Sequence, residues 1–329
     1  MRVLVLGGSR FLGRAVVAAA VAQGIDITCF RRGSTGEALL GARLIRGDRT
    51  RPDDVARLAE AGPWDAVIDT SAYIPRETLG IAQMLERVVG QYVLVSTVSA
   101  YRGWPVEPIT EESRVFDCAS DAEHGSASYG ALKAGCEAAV LEAIGPDRTV
   151  ILRPGVILGP HDYLGRLPWW LRRIARGGRV LAPGNPDRRI QPIDVRDAAD
   201  FAIHAAGLPA NIYNLTSPGA ETMGDLLDAC RLVTGAHAEL DWATDEIWLA
   251  AQGLTPWTDL PLWRIDRGVW QVDSTRARDT GLVARPIAMT VADTWEWLSS
   301  DASDTESDGE NGISAEREQE LLSLWDKKR

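Results

Sequence analysis

The chain has 329 residues, 45% of them hydrophobic, and a formal net charge of -11; this is enough apolar material for a large core and excludes a disordered tail, while the acidity argues against a nucleic-acid surface. Cys29, Cys118, Cys136 and Cys230 are scattered without a CxxC pair and the four histidines lack metal-type spacing, so neither a metal site nor a disulfide framework is expected. No apolar run approaches the roughly 20 residues of a membrane span and the N-terminus lacks a secretory arrangement, so the expectation is a soluble, cytoplasmic protein without membrane or nucleic-acid partners, monomeric or homodimeric.

Val3, Leu4, Val5 and Leu6 form an unbroken apolar run, as in a strand buried on both faces of a parallel sheet. The turn Gly7-Gly8-Ser9-Arg10-Phe11-Leu12-Gly13 follows, then an alanine-rich helix that ends at Gly24. Strand, glycine turn and helix N-terminus together aim backbone N–H groups at one spot, an arrangement suited to the pyrophosphate of a dinucleotide. A second strand is predicted over Ile25–Phe30. It ends in Arg31 and Arg32 where an acid would accept from the adenosine ribose; arginine there accommodates a 2′-phosphate, so NADP(H) is the expected cofactor, with NAD(H) the second choice.

Further predicted strands cover Ala42–Arg46, Trp64–Thr70, 91–97 and, beginning TVILRP, 149–160. Helices lie between them, the rhythm of a doubly wound parallel sheet. Thr97 falls at the carboxyl end of the fifth strand, where ligands of open α/β sheets bind. In the following helix Tyr129 and Lys133 stand four residues apart and share a face. An ammonium beside a phenol lowers its pKa toward the working pH, which suits proton exchange with a substrate oxygen.

These motifs, in this order, resemble an extended, atypical short-chain dehydrogenase/reductase of the NAD-dependent epimerase/dehydratase superfamily. The resemblance rests on Gly7 to Gly13, Asp48, Thr70-Ser71-Ala72, Thr97, Tyr129-Gly-Ala-Leu-Lys133, Arg153-Pro154, Gly159-Pro160 and Ile193-Asp194-Val195. It implies a Rossmann fold with a smaller C-terminal substrate-binding domain: residues 1–158 plus about 190–215 for the cofactor, and about 159–189 plus 216–298 for the substrate. It implies Tyr129 as catalytic acid/base, Lys133 as tuner of the phenol and ligand of the nicotinamide ribose, and Thr97 as polariser of the substrate oxygen. Asp48 would contact adenine, and Arg49, Thr70, Ser71, Ala72, Pro154 and Val156 would complete the cofactor site. Val98 and Ser99 replace the Asp-Glu pair of the sugar dehydratases, which disfavours dehydration. The implied activity is carbonyl reduction or alcohol oxidation on a small molecule. The alternatives are a nucleotide-sugar epimerase that retains its cofactor, or a non-catalytic cofactor- or RNA-binding relative.

Later segments are less legible. Trp248, Trp257, Trp263 and Trp270 suggest an aromatic-lined cleft. Residues 299–312 read as an acidic linker and 313–329 as an amphipathic helix, apolar at Leu321, Leu322, Leu324 and Trp325, docking on its own domain.

Overall fold

The computed structural model describes residues 1–33, 41–300 and 311–329. Seven parallel strands form the main sheet: β1 (Arg2–Leu6), β2 (Asp26–Arg31), β3 (Arg43–Arg46), β4 (Trp64–Asp69), β5 (Val89–Val95), β6 (Thr149–Pro154) and β10 (Ile212–Leu215). Their order across the sheet is β3-β2-β1-β4-β5-β6-β10. The order reverses at β1, so the carboxyl ends of β1 and β4 open onto the crevice where such sheets bind ligands.

The period of two along β1 explains the layers. Val3 and Val5 point to one face, where they join Val16 and Val17 of α1 (Phe11–Ala22) and Phe201 of α6 (Val195–Ala205). Leu4 and Leu6 point to the other, against α2 (Pro52–Glu60), α3 (Pro75–Leu85) and α4 (Tyr129–Ile144). Both faces are thus covered, which is why these strands read as continuous apolar runs.

Strand boundaries differ from expectation in places. The fifth strand starts at Val89 and ends at Val95, leaving Thr97 just beyond it. The sixth ends at Pro154, whose missing N–H cannot continue the ladder; Ile157–Leu158 (β7) instead pairs with Ile193–Asp194 (β9).

A second apolar core is centred on Trp170, Leu171 and Ile174 of α5 (Arg166–Ala175), Leu226 and Leu227 of α7 (Met223–Thr234), and Val291 of α10 (Ile287–Leu298). A parallel pair, β8 (Gly178–Pro183) with β11 (Ala238–Ala243), lies on it; neither strand was visible in the sequence reading. Helix α11 (Ala315–Lys328) closes this core with Leu321, Leu322 and Trp325, while Leu324 is half-buried. Its Glu318 is buried, ion-paired with Arg173, and accepts from the Leu181 N–H at 3.1 Å. The C-terminal helix therefore docks on its own chain, as expected; most of the acidic linker, 301–310, lies outside the described residues. No helix among the described residues is long and apolar enough to cross a membrane.

Candidate active site

A cleft of about 970 Å3 runs from the glycine turn, past the carboxyl ends of the central strands, to the second core. At one end the turn demands its glycines. Gly7 and Gly8 have φ of +108° and +92°, and a Cβ on Gly13 would lie 2.7 Å from the Gly8 nitrogen. Arg10, which stands at the usual central glycine, has φ -126° and ψ 149°. That is ordinary extended backbone, so no glycine is required there. Arg10 is the N-cap of α1 and provides no side-chain cap hydrogen bond, so the helix's first N–H groups face the cleft unclaimed by a capping side chain.

Arg31 and Arg32 line the cleft beside the turn, and Arg31 donates to Ser9 Oγ at 3.3 Å. Asp48 accepts from the Thr50 N–H at 3.0 Å and hydroxyl at 2.8 Å, which holds its carboxyl below the usual range. The N-cap of α2 is Arg51, so Asp48 is not the cap. Arg49 is anchored by Asp69, through contacts of 3.1 and 2.9 Å, and by Ser71 Oγ at 2.7 Å. Burial opposes the charge on Asp69, yet Arg49 keeps its carboxyl ionised below the usual range. Arg49 Nε is buried without a hydrogen-bond partner. Clustered amides, positive φ glycines and this spare donor fit the phosphates and ribose of a dinucleotide. Thr70, Ser71 and Val156 also line the cleft, as do Phe11 and Leu12. Ala72 and Pro154 do not; both are buried behind its wall.

The proton-handling group lies mid-cleft. Thr97 caps a short 3₁₀ turn (Val98–Ala100), accepting from the Ser99 N–H at 3.1 Å. Ser128 caps α4, which brings Tyr129 to the cleft wall beside Thr97, close enough for the threonine hydroxyl to favour the phenolate. Gly130 makes this approach feasible: a Cβ there would lie 2.0 Å from the Ser99 carbonyl oxygen. Lys133 reaches the same wall, but its ammonium donates to the carbonyls of Ala72 at 2.6 Å and Val95 at 2.7 Å.

This arrangement corrects one expectation. Tyr129 is 54% exposed to the cleft, but desolvation by the cleft walls, reinforced by Tyr163, pushes its pKa above the ordinary tyrosine value. Lys133 is not among the groups that act most strongly on it, and two carbonyls hold the lysine's Nζ. Tyr101, another candidate proton source, is fully buried and donates to Asn214 Oδ1 at 2.7 Å, away from the cleft.

The far end is walled by Trp104, Tyr163, Leu164, Arg166, Trp257 and Arg264. Of the four tryptophans expected there, only Trp257 lines the cleft. Trp263 and Trp270 are core residues, and Trp248 stacks on Trp325 at 5.0 Å. Tyr73, Glu77, Trp104, Tyr163, Arg166 and Arg264 escaped the sequence reading. Tyr73 had a signal, its position just after the fourth strand; the others come from segments with no motif.

The model of the NAD-dependent epimerase/dehydratase family matches residues 3–216. The chain belongs to this family. Curated relatives include a chloroplast stem-loop binding protein of 41 kDa from Arabidopsis thaliana, 26% identical over 71% of the chain. Another is a 2-alkyl-3-oxoalkanoate reductase from Stenotrophomonas maltophilia, 30% identical over 60%. Each match spans 63% of the relative's own length. Among solved structures, the Bordetella bronchiseptica enzyme WbmH in complex with NAD+ superposes with a TM-score of 0.67, at 18% identity, covering 90% of this chain and 98% of that one. The family's relatives thus include reductases of the short-chain dehydrogenase/reductase type, and the seven-stranded fold is theirs.

Proposed function

We propose that the protein is a nicotinamide-dependent carbonyl reductase, NADP(H)-preferring, in which residues 1–158 with about 190–215 hold the cofactor and the remainder of the fold shapes the substrate pocket. The observation that carries this reading is the placement of the Tyr129 phenol beside Thr97 in the cleft wall, with burial holding the phenol in its neutral form. A nicotinamide cofactor held by the glycine turn and Lys133 would supply the hydride. The chain does the rest. The Thr97 hydroxyl and the Tyr129 phenol converge on one substrate oxygen. As that oxygen gains charge, Tyr129 donates its proton, leaving an alcohol. A raised pKa suits this direction, because the phenol holds its proton until the developing alkoxide needs it. Lys133, fixed by two carbonyls, has one N–H left for the cofactor ribose or the phenolate formed at the end of the step.

The test is to incubate the protein with reduced cofactor and carbonyl compounds, following loss of the reduced nicotinamide's absorbance against alcohol formed. One cofactor consumed per alcohol supports reduction. An epimerised product with no net cofactor change would replace this reading with the epimerase that the same residues could serve. For cofactor preference, Arg31→Asp should weaken NADP(H) relative to NAD(H) by roughly ten-fold or more, the loss of a charge-assisted bond to a phosphate. Unchanged NADP(H) affinity by calorimetry would remove Arg31 from the site.

A further inference from the structure

The cleft lining contains seven cationic residues, Arg10, Arg31, Arg32, Arg49, Lys133, Arg166 and Arg264, and two acidic ones, Asp48 and Glu77, in a chain of net charge -11. The first five cluster about the glycine turn and Tyr129, where a dinucleotide's phosphates and ribose use them. Arg166 and Arg264 lie at the other end, and nothing in a dinucleotide bound at the turn calls for them.

The protein matches neither arginine fully: Arg264 has one ion pair, with Asp266, and Arg166 feels Asp162 without forming an ion pair to it. Arg166 has no hydrogen bond or ion pair among the described residues; its guanidinium lies over the Trp257 ring at 4.5 Å. The nearby carboxyl of Asp162 acts on it electrostatically without an ion pair: one oxygen accepts from the Leu164 N–H at 3.0 Å and the other is buried without a hydrogen-bond partner. Arg264 lies over the same ring at 4.7 Å and is ion-paired with Asp266 at 3.6 Å, while its Nε is buried without an acceptor. Trp104 Nε1 is a second buried donor at this end without an acceptor. Burial disfavours the charged form of both arginines, which is costly unless a counter-charge arrives. A ring face steadies a guanidinium while leaving its N–H edge free for a planar, bidentate acceptor. Trp257 is held for this in a left-handed backbone, φ +79°, uncommon for a large side chain. Arg166 is also close enough to Tyr129 to influence its ionisation electrostatically.

We propose that the substrate is an oxo acid, whose carboxylate is held by Arg166 and Arg264 a few bonds from the carbonyl on Tyr129 and Thr97, with its apolar part on Trp104 and Trp257. This deepens the reductase reading and rests on it for the carbonyl, though the anion site stands separately. A phosphate would engage the same forks.

The test separates the two claims by measuring binding without turnover. The full chain, loaded with NADPH, is titrated by calorimetry with a medium-chain 3-hydroxy acid, its neutral methyl ester, the corresponding hydroxyalkyl phosphate, and UDP. The acid should bind about ten- to a hundred-fold more tightly than the ester, as expected for one or two charge-assisted contacts. Arg166→Met should erase that difference and Arg166→Lys restore part of it, with NADPH affinity unchanged in both as evidence of an intact fold. Tighter binding of the phosphate than the acid would replace carboxylate by phosphate as the natural group. Equal binding of acid and ester, or UDP binding indifferent to Arg166→Met, would overturn the proposal. Anion binding by a protein that reduces no carbonyl compound would instead leave the site standing and remove the reductase reading.

Discussion

Tyr129 differs from the chain's other tyrosines in what surrounds it. Tyr92 and Tyr101 are buried and donate to Asp69 and Asn214, which fixes them as structural groups. Tyr129 faces the cleft, with Thr97 and Tyr163 close enough to act on its hydroxyl. Tyr129→Phe should therefore lower kcat by about 10² to 10⁴ while leaving cofactor affinity nearly unchanged, since the hydroxyl serves the transition state. Stopped-flow turnover with calorimetry on the same preparation checks both. Because its pKa is raised, the phenol stays protonated through neutrality, and the rate of reduction should fall only above about pH 10; a fall centred near neutrality would mean that bound cofactor brings Lys133 into play. Asp162 carries a second pH signature. Burial pushes its carboxyl to about 6, above the roughly 3.9 of an unfolded aspartate. The folded state then holds more protons between those values, so stability is highest at the acid end and falls as pH rises through this window, by up to about 3 kcal/mol. Asp162→Asn, which keeps an oxygen for the Leu164 N–H, should flatten that fall in chemical denaturation at about pH 4 and about pH 7. An unchanged pH dependence would show that Asp162 is not its source.

At the scale of elements, the site is a meeting of the 3₁₀ turn after β5 with the first turn of α4. Gly130 sets their separation. Gly130→Ala must drive α4 back from the Ser99 carbonyl, costing roughly 1–3 kcal/mol as overpacking and moving Tyr129 off Thr97; a lower Tm together with lost activity is expected, and wild-type activity would show that the spacing is not critical. This end of the protein was readable because backbone geometry restricts its residue types: glycines at positive φ, a capping serine, an apolar run covered on both faces. Arg10 was harder to place, since only the observed φ shows that no glycine is needed there. Lys133 shows the same limit. Helical spacing puts it on the face of Tyr129, but only the fold shows that the carbonyls of Ala72 and Val95 compete for its ammonium. The aromatic end was least legible. Which tryptophans enter the core and which face ligand depends on the packing of α5, α7, α10 and α11 together; β8 carries no clear alternation, and the alternation of β11 runs against its burial, with Asp241 buried and Leu240 and Trp242 half-buried.

For the molecule as a whole, the two cores divide the labour. The seven-stranded sheet supplies a rigid floor for the cofactor end. The second core displays Arg166, where a loop enters α5, and Trp257, on a second loop, across from it. The C-terminal segment ties those loops down: the Asn311 side chain donates to the Leu164 carbonyl, the Gly312 N–H donates to Thr258 O at 2.7 Å, and α11 is locked by Glu318 and by Arg179 with Asp326. The negative exterior and cationic cleft also focus the field inward, toward an anionic cofactor and substrate. Hydride transfer itself is followed most directly by isotope. With reduced cofactor deuterated at the transferring carbon of its nicotinamide and a 3-oxo acid as substrate, the alcohol product should carry one deuterium on the former carbonyl carbon by mass spectrometry, formed at least a hundred-fold more slowly by Tyr129→Phe. Product without deuterium, or the same rate from Tyr129→Phe, would contradict a reductase that works through this phenol.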